Sequence, residues 1–272
     1  MIVVCQRCNQ RFSKPPSVAR SRMLCREACP GRKPEWNADI AWLSGVVASD
    51  GYLSKENSRR ISVTSKDFDM IEQVSAIIPM PRYYIRPLGH HTVATTWSAY
   101  YDFLLNIGIM PAKSLTIGPV KIPDEWFFHF LRGEIDGDGL VKPHLGKYPQ
   151  IRIFSASPPF LYWLQMTIGR LCKARSQVVS KQRTVWSLCY GGEEAMVLGR
   201  RVWPDKQILP ALARKIPLWL FNDVRVNKRL SAQQQEDIMK RRNQMAIRAI
   251  ARDLCLDRCT VRRFLRTAKD EI

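Results

Sequence analysis

No uncharged apolar run in this 272-residue chain approaches the roughly 18 residues that a membrane-crossing helix needs; Arg170 and Lys173 interrupt the longest candidate, which follows Pro159. Membrane-spanning helices are therefore excluded. The opening Met1-Ile2-Val3-Val4-Cys5 has neither a basic segment nor a long apolar one, so no secretory signal is expected and an intracellular location is. Acidic residues are also in short supply. Asp and Glu number 24 against 43 Lys and Arg, a formal net charge of +19. A field of that sign attracts a polyanion, and nucleic acid is the leading partner, although charge alone leaves open a basic protein that merely stays soluble or touches anionic lipid. Material for a core is not lacking: 46% hydrophobic and 10% aromatic residues exclude a disordered chain. In a reducing compartment the eight cysteines are expected to be free or metal-bound, not disulfide-linked.

The sequence repeats internally. Trp42-Leu43-Ser44-Gly45-Val46-Val47-Ala48-Ser49-Asp50-Gly51 and Phe130-Leu131-Arg132-Gly133-Glu134-Ile135-Asp136-Gly137-Asp138-Gly139 match at Leu, Gly and Asp-Gly with one constant offset. After Gly51 the pattern predicts a short strand, a strand over residues 60–64, a helix over 68–78, strands near 83–85 and 92–97, and a helix over 99–107 ending at Gly108. After Gly139 the same order returns: a strand over 150–153, a helix over 159–172, strands near 178 and 185–190, and a helix over 193–202. The chain thus reads as two αββαββα units.

Each unit opens with a helix that places small residues four apart, Gly45 and Ser49 in the first, Gly133 and Gly137 in the second. Small residues on one face let two helix backbones approach closely, and since a glycine costs roughly 1 kcal/mol inside a helix, a packing reason is expected. If these faces meet, Asp50 and Asp138 emerge side by side at the same end of the pair. Two carboxylates at a basic surface suit a divalent metal and phosphodiester hydrolysis. Taken singly, each Asp-Gly is as well read as an ordinary turn; two copies at one offset favour the site.

Both segments resemble the LAGLIDADG motif, and the repeat, over roughly residues 36 to 222, resembles the monomeric two-motif homing endonucleases. The resemblance implies an α+β fold of two pseudo-twofold halves with antiparallel, saddle-like DNA-binding sheets. It also implies Mg2+ (or Mn2+)-dependent cleavage of a long asymmetric double-stranded DNA site, and a monomer. The last acidic residue of each motif, Asp50 and Asp138, would bind Mg2+ beside one scissile phosphate. The earlier acidic position is Ala48 in one copy and Asp136 in the other. Gly108-Ile109-Met110-Pro111-Ala112-Lys113-Ser114 and Leu212-Ala213-Arg214-Lys215 resemble the family's lysine segments, so Lys113 and Lys215 are expected to stabilise the transition state or orient the hydrolytic water. On the sheets, alternation turns Arg60, Ser62 and Thr64, and in the second half Gln150 and Arg152, outward, where they can reach base edges in a major groove.

The two ends carry further signals. Cys5-x2-Cys8 and Cys25-x3-Cys29 supply four thiolates suited to a structural Zn2+, without which a segment of about 30 residues could hardly fold. Residues 245–265 resemble a resolvase-type helix-turn-helix. Ala251 stands at the crossing, Leu254 and Leu256 flank the turn, Val261 and Phe264 return to the core, and Asp257 caps a second helix that carries Arg258, Thr260, Arg262 and Arg263 to the major groove. The expected organisation is a zinc module (1–34), two half-domains (35–118 and 119–222) and a helix-turn-helix (223–272). A transcription regulator or RNA maturase on the same fold, binding without cutting, is the alternative.

Overall fold

The computed structural model describes residues 2–4, 11–13, 33–55, 58–79, 81–142, 149–182, 184–221, 230–242, 244–254, 256 and 258–267. Strands β1 (Ile2–Val4) and β2 (Arg11–Ser13) pair antiparallel. Cys5, Cys8, Cys25 and Cys29 lie outside the described residues, as does Asp257, the expected helix cap.

Two units then follow in one order. The first contains α1 (Ala38–Asp50), β3 (Gly51–Leu53), β4 (Ile61–Ser65), α2 (Phe68–Ile77), β5 (Arg82–Arg86), β6 (His90–Thr95) and α3 (Ser98–Ile107). The second contains α4 (Phe127–Asp138), β7 (Gly139–Lys142), β8 (Gln150–Ser155), α5 (Pro158–Cys172), β9 (Ser180–Gln182), β10 (Val185–Gly191) and α6 (Glu193–Val202). Both sheets are antiparallel and ordered alike, β3-β4-β6-β5 and β7-β8-β10-β9. The fold is α+β, with two αββαββα units. Element ends move slightly from the sequence expectation. The strand expected near Val178 begins at Ser180, leaving Val178 exposed, and β6 stops at Thr95, because Trp97 turns into the core ahead of α3. Gly108 ends α3 in the left-handed region at φ 102°, the conformation that glycine adopts without steric penalty.

Helices α1 and α4 join the units. Asn37 caps α1 by accepting a hydrogen bond from the Ile40 amide at 2.8 Å, and the run Ile40 to Ala48 is buried on every side, as a central helix must be. The helices meet backbone to backbone. A Cβ at Gly45 would lie 2.7 Å from the Glu134 amide nitrogen and closer still to the Phe130 carbonyl oxygen; one at Gly133 would lie 2.9 Å from the Val46 nitrogen and closer still to the Trp42 carbonyl oxygen. Gly45 meets Phe130 as Gly133 meets Trp42, and these residues are equivalents in the repeat, so the contact is reciprocal, as a twofold axis requires. Ser49 touches Gly137, its own equivalent, which places that pair on the pseudo-axis. One apolar core runs through the junction, from Trp42, Val46 and Leu53 to Phe130, Ile135, Leu188 and Trp203.

Three further helices, α7 (Ala232–Arg241), α8 (Ile247–Asp253) and α9 (Arg258–Thr267), share a second small core of Ile238, Ile250, Ala251 and Val261, with Leu254, Leu256 and Phe264 packed against it. No described helix is long and apolar enough to cross a membrane.

Candidate active site

Because α1 and α4 stop at equivalent residues on either side of the pseudo-axis, Asp50 and Asp138 face one another. Asp50 is half-buried and Asp138 exposed, and a Cβ on Gly137 would come within 3.3 Å of an Asp50 carboxylate oxygen. Burial pushes the Asp50 carboxyl up to about 6, the Asp138 charge adds to the rise, and Lys215 and Lys113 oppose it. Asp138, although solvent reaches it, is raised by partial desolvation at the helix end and lowered by the same two lysines. The charges of these two carboxylates and of Lys113 and Lys215 act on one another.

The lysines are not surface charges. Each is buried, 5% exposed for Lys113 and 6% for Lys215, and each reaches the C-terminal end of the motif helix of its own unit. Lys113 donates from Nζ to the Gly51 carbonyl, whereas Lys215 donates to three carbonyls, those of Ile135 (2.8 Å), Asp136 (2.7 Å) and Gly137 (3.0 Å). A cation at the end of α4, where the Ile135 carbonyl also accepts from the Gly139 amide, also satisfies the negative end of the helix dipole.

The strap of the second unit that carries Lys215 is fastened to the first. The Gln73 side chain bonds both backbone groups of Ala211, donating at 2.9 Å and accepting at 2.7 Å; Arg214 forms a two-pronged pair with Asp67, and the Leu212 amide donates to Asp136 Oδ2 at 3.0 Å. Buried Arg132 holds the approach to the strap, donating to the carbonyls of Pro210 and Val202. These are long-range contacts, between residues whose separation in sequence offers no periodic cue.

Two acidic side chains stand beneath the pair. Asp136 accepts from Trp42 Nε1 at 2.8 Å as well as from Leu212, and burial still lifts it to about 6. Glu134, 2% exposed, is pushed well above the usual carboxylate range by burial and by the Asp138 charge, and its Oε2 has no hydrogen-bond partner among the described residues. Sequence reasoning passes over Glu134. Its signal is available: an acidic residue one turn before Asp138, on the helix that glycine spacing marks as an interface.

The outward sheet faces also carry the expected residues. Strand β4 alternates buried and half-buried, with Ile61, Val63 and Ser65 inside and Ser62 and Thr64 outside, and the half-buried Arg60 precedes it. Cross-strand register adds Tyr52, Arg82 and Tyr84 to that face, and the Arg60 guanidinium lies 5.4 Å from the centre of the Tyr84 ring. The Thr64 hydroxyl bonds that of Thr92 at 2.8 Å. In the second unit Gln150 and Arg152 share a face with Lys142, Leu140 and Phe154, and Gln150 Nε2 lies 3.0 Å from Cys189 Sγ. On α9, Arg262 is exposed and Thr260 half-buried; the side chains of Arg258 and Arg263 lie outside what is described.

Among solved structures, similar chains include the full-length DUF199/WhiA protein of Thermatoga maritima, at 12% identity and a TM-score of 0.48 over 87% of this chain and 94% of that one. The homing endonuclease I-WcaI bound to its DNA recognition sequence is similar at 12% identity and a TM-score of 0.49, over 68% and 89%. I-DmoI in complex with DNA and calcium is similar at 13% identity and a TM-score of 0.45, over 61% and 88%. No family model matches the chain, and no curated protein does.

Proposed function

We propose that this chain is a divalent-metal-dependent endonuclease that cuts both strands of a long, asymmetric DNA site. The observation that carries the reading is the facing pair Asp50 and Asp138, with Lys113 and Lys215 buried beside them. Among the described residues no cluster of three or more His, Cys, Asp or Glu is placed to hold a metal. The donor set fits Mg2+ or Mn2+ nonetheless, because such an ion is held by one or two carboxylates and fills its remaining positions with water and substrate phosphate. The elevation of Asp50 by Asp138 is the like-charge cost that a shared cation relieves. When bound, the ion supplies activation of water and neutralisation of developing charge. Asp50 and Asp138 hold it, Lys113 and Lys215 set positive charge beside the scissile phosphate, and Arg60, Ser62, Gln150 and Arg152 face the grooves. Thr64 contributes its methyl and surface more than its hydroxyl, which Thr92 engages.

The ends of the chain complete the proposal. A Zn2+ held by Cys5, Cys8, Cys25 and Cys29 would organise residues 1–34, and α8 and α9, packed through Ala251 and Val261, would act as a helix-turn-helix with Arg258, Thr260, Arg262 and Arg263 toward DNA. The proposal takes the half-domains as 35–118 and 119–222 and the tail as 223–272.

A second reading, a DNA-binding regulator that does not cut, is favoured by one observation. All three donors of Lys215 are already engaged by helix carbonyls, a structural use of that ammonium. Incubating the protein with a randomised duplex library and Mg2+, and sequencing both the retained duplexes and any new ends, separates the two. The nuclease produces a recurrent pair of ends; a regulator enriches a duplex and leaves it whole.

A further inference from the structure

The outward face of the first sheet carries a second arginine, held differently from Arg60. On β5 the alternation that turns Arg82 and Tyr84 outward turns Arg86 outward too, and all three are exposed. Cross-strand register sets Thr64, Thr92 and Tyr84 in one row on this face, and Arg86 lies two residues beyond Tyr84 along its strand. Thr92 is 0% exposed, and a hydroxyl buried to that degree needs a partner. Its Oγ1 accepts from Arg86 Nε at 3.1 Å and lies 2.8 Å from the Thr64 hydroxyl. The guanidinium is thereby fixed by its inner nitrogen, while the N–H groups of Nη1 and Nη2 have no partner among the described residues. Arg60 lies beside the same row, with its guanidinium over the Tyr84 ring. In the second sheet the corresponding row is Phe154, Ser187 and Ser180, and the place of Arg86 falls to Gln182.

We propose that Arg86 is a base-reading residue of the first sheet, specific for guanine, and that Thr92 positions it. The proposal rests on the reading of this face as a DNA surface, and not on whether the chain cuts. A guanidinium held at Nε presents its two terminal amino groups as an end-on fork, which matches the paired O6 and N7 acceptors of guanine in the major groove. Because the fork is set before DNA arrives, it loses less side-chain freedom on binding than an arginine loose in solvent does. Gln182, at the corresponding place of the second sheet, is no guanidinium, so this contact has no symmetry mate in the second half.

Selecting duplexes from a randomised library with the full chain, without added Mg2+, and sequencing those retained measures base preference position by position. Arg86→Ala is expected to lower the preference for guanine about tenfold at one position and to leave the others within about twofold. Thr92→Val keeps the shape of the side chain and removes the hydroxyl. It is expected to lower the preference at that same position about threefold, and Thr92→Ser, which restores a hydroxyl, to return it. If Arg86→Ala weakens all duplexes alike, Arg86 is a phosphate anchor and the guanine assignment is overturned. If Thr92→Val leaves that position unchanged, or relaxes every position equally, the positioning role is overturned. Should Thr92→Val not fold, the wild-type chain decides without it. By NMR its Arg86 Nε proton is expected to exchange with water at least about tenfold more slowly than that of the exposed Arg82, and equal rates overturn the hold. A wild-type chain that enriches no sequence overturns the DNA-site reading and this proposal with it, whereas a selective wild type with unmoved variants overturns the proposal alone.

Discussion

At the scale of single residues, Asp50 combines a proposed metal-binding role with a cost to the fold. Its carboxyl is raised from 3.8 to about 6 by burial and by Asp138, so the native state holds the proton more tightly than the unfolded chain. The stability this confers is fully present below about pH 4 and is lost as pH rises through about 6. Asp50→Asn removes that loss. The metal-free variant is expected to melt above the wild type at pH 7 and close to it at pH 4, and a melting difference independent of pH would remove Asp50 from its charged, like-paired setting. The same substitution, or Asp138→Asn, is expected to abolish double-strand cleavage while binding stays within about tenfold, since each removes a carboxylate at the reacting phosphate and no base contact.

Secondary elements show what in the sequence is readable. The glycine spacing in α1 and α4 announces their contact, because backbone proximity demands absent side chains and leaves a mark at fixed spacing. Gly45→Ala and Gly133→Ala should each cost on the order of 3 kcal/mol, as the obstruction is main chain and neither helix can yield without moving its unit. Gly191→Ala, where a Cβ meets nothing within 4 Å, is the control expected to change little in thermal unfolding. Strand alternation likewise discloses the faces of β4 and β8, since burial on one side imposes period two. The strap that seats Lys215 is not readable. Gln73 and Ala211 are 138 residues apart, and a side chain that imitates a strand partner has no periodic signature. Helix α7 carries only a local sign, Ser231 with Gln234 three residues on, which forms a reciprocal capping box. Glu134 falls between the two cases: its position is visible, but its isolation inside the interface is a property of packing that spacing alone does not convey.

For the molecule as a whole, the charge of +19 and the difference between the sheets bear on the proposed DNA site. The first sheet turns Tyr52, Arg60, Arg82 and Tyr84 outward, whereas the second turns Lys142, Gln150, Arg152 and Phe154, so a palindrome could not satisfy both. One zinc equivalent is expected in protein purified without chelator, and less than about half an equivalent would remove the four-cysteine assignment. Helices α7 to α9 have their own core around Ile238 and Val261, and the core of the two units does not draw on it. Deleting residues from Ser231 onward should therefore leave the two-unit core folded and Mg2+-dependent cutting intact at higher protein concentration. Binding should weaken, and the footprint should shorten on one side only, because a tail following the second unit reaches one flank. Each phosphate that goes unneutralised without the tail should make the log–log salt dependence shallower by roughly one unit, since fewer counterions are released. A footprint that kept its length, or shrank equally at both ends, would show that the tail does not dock as a separate DNA reader.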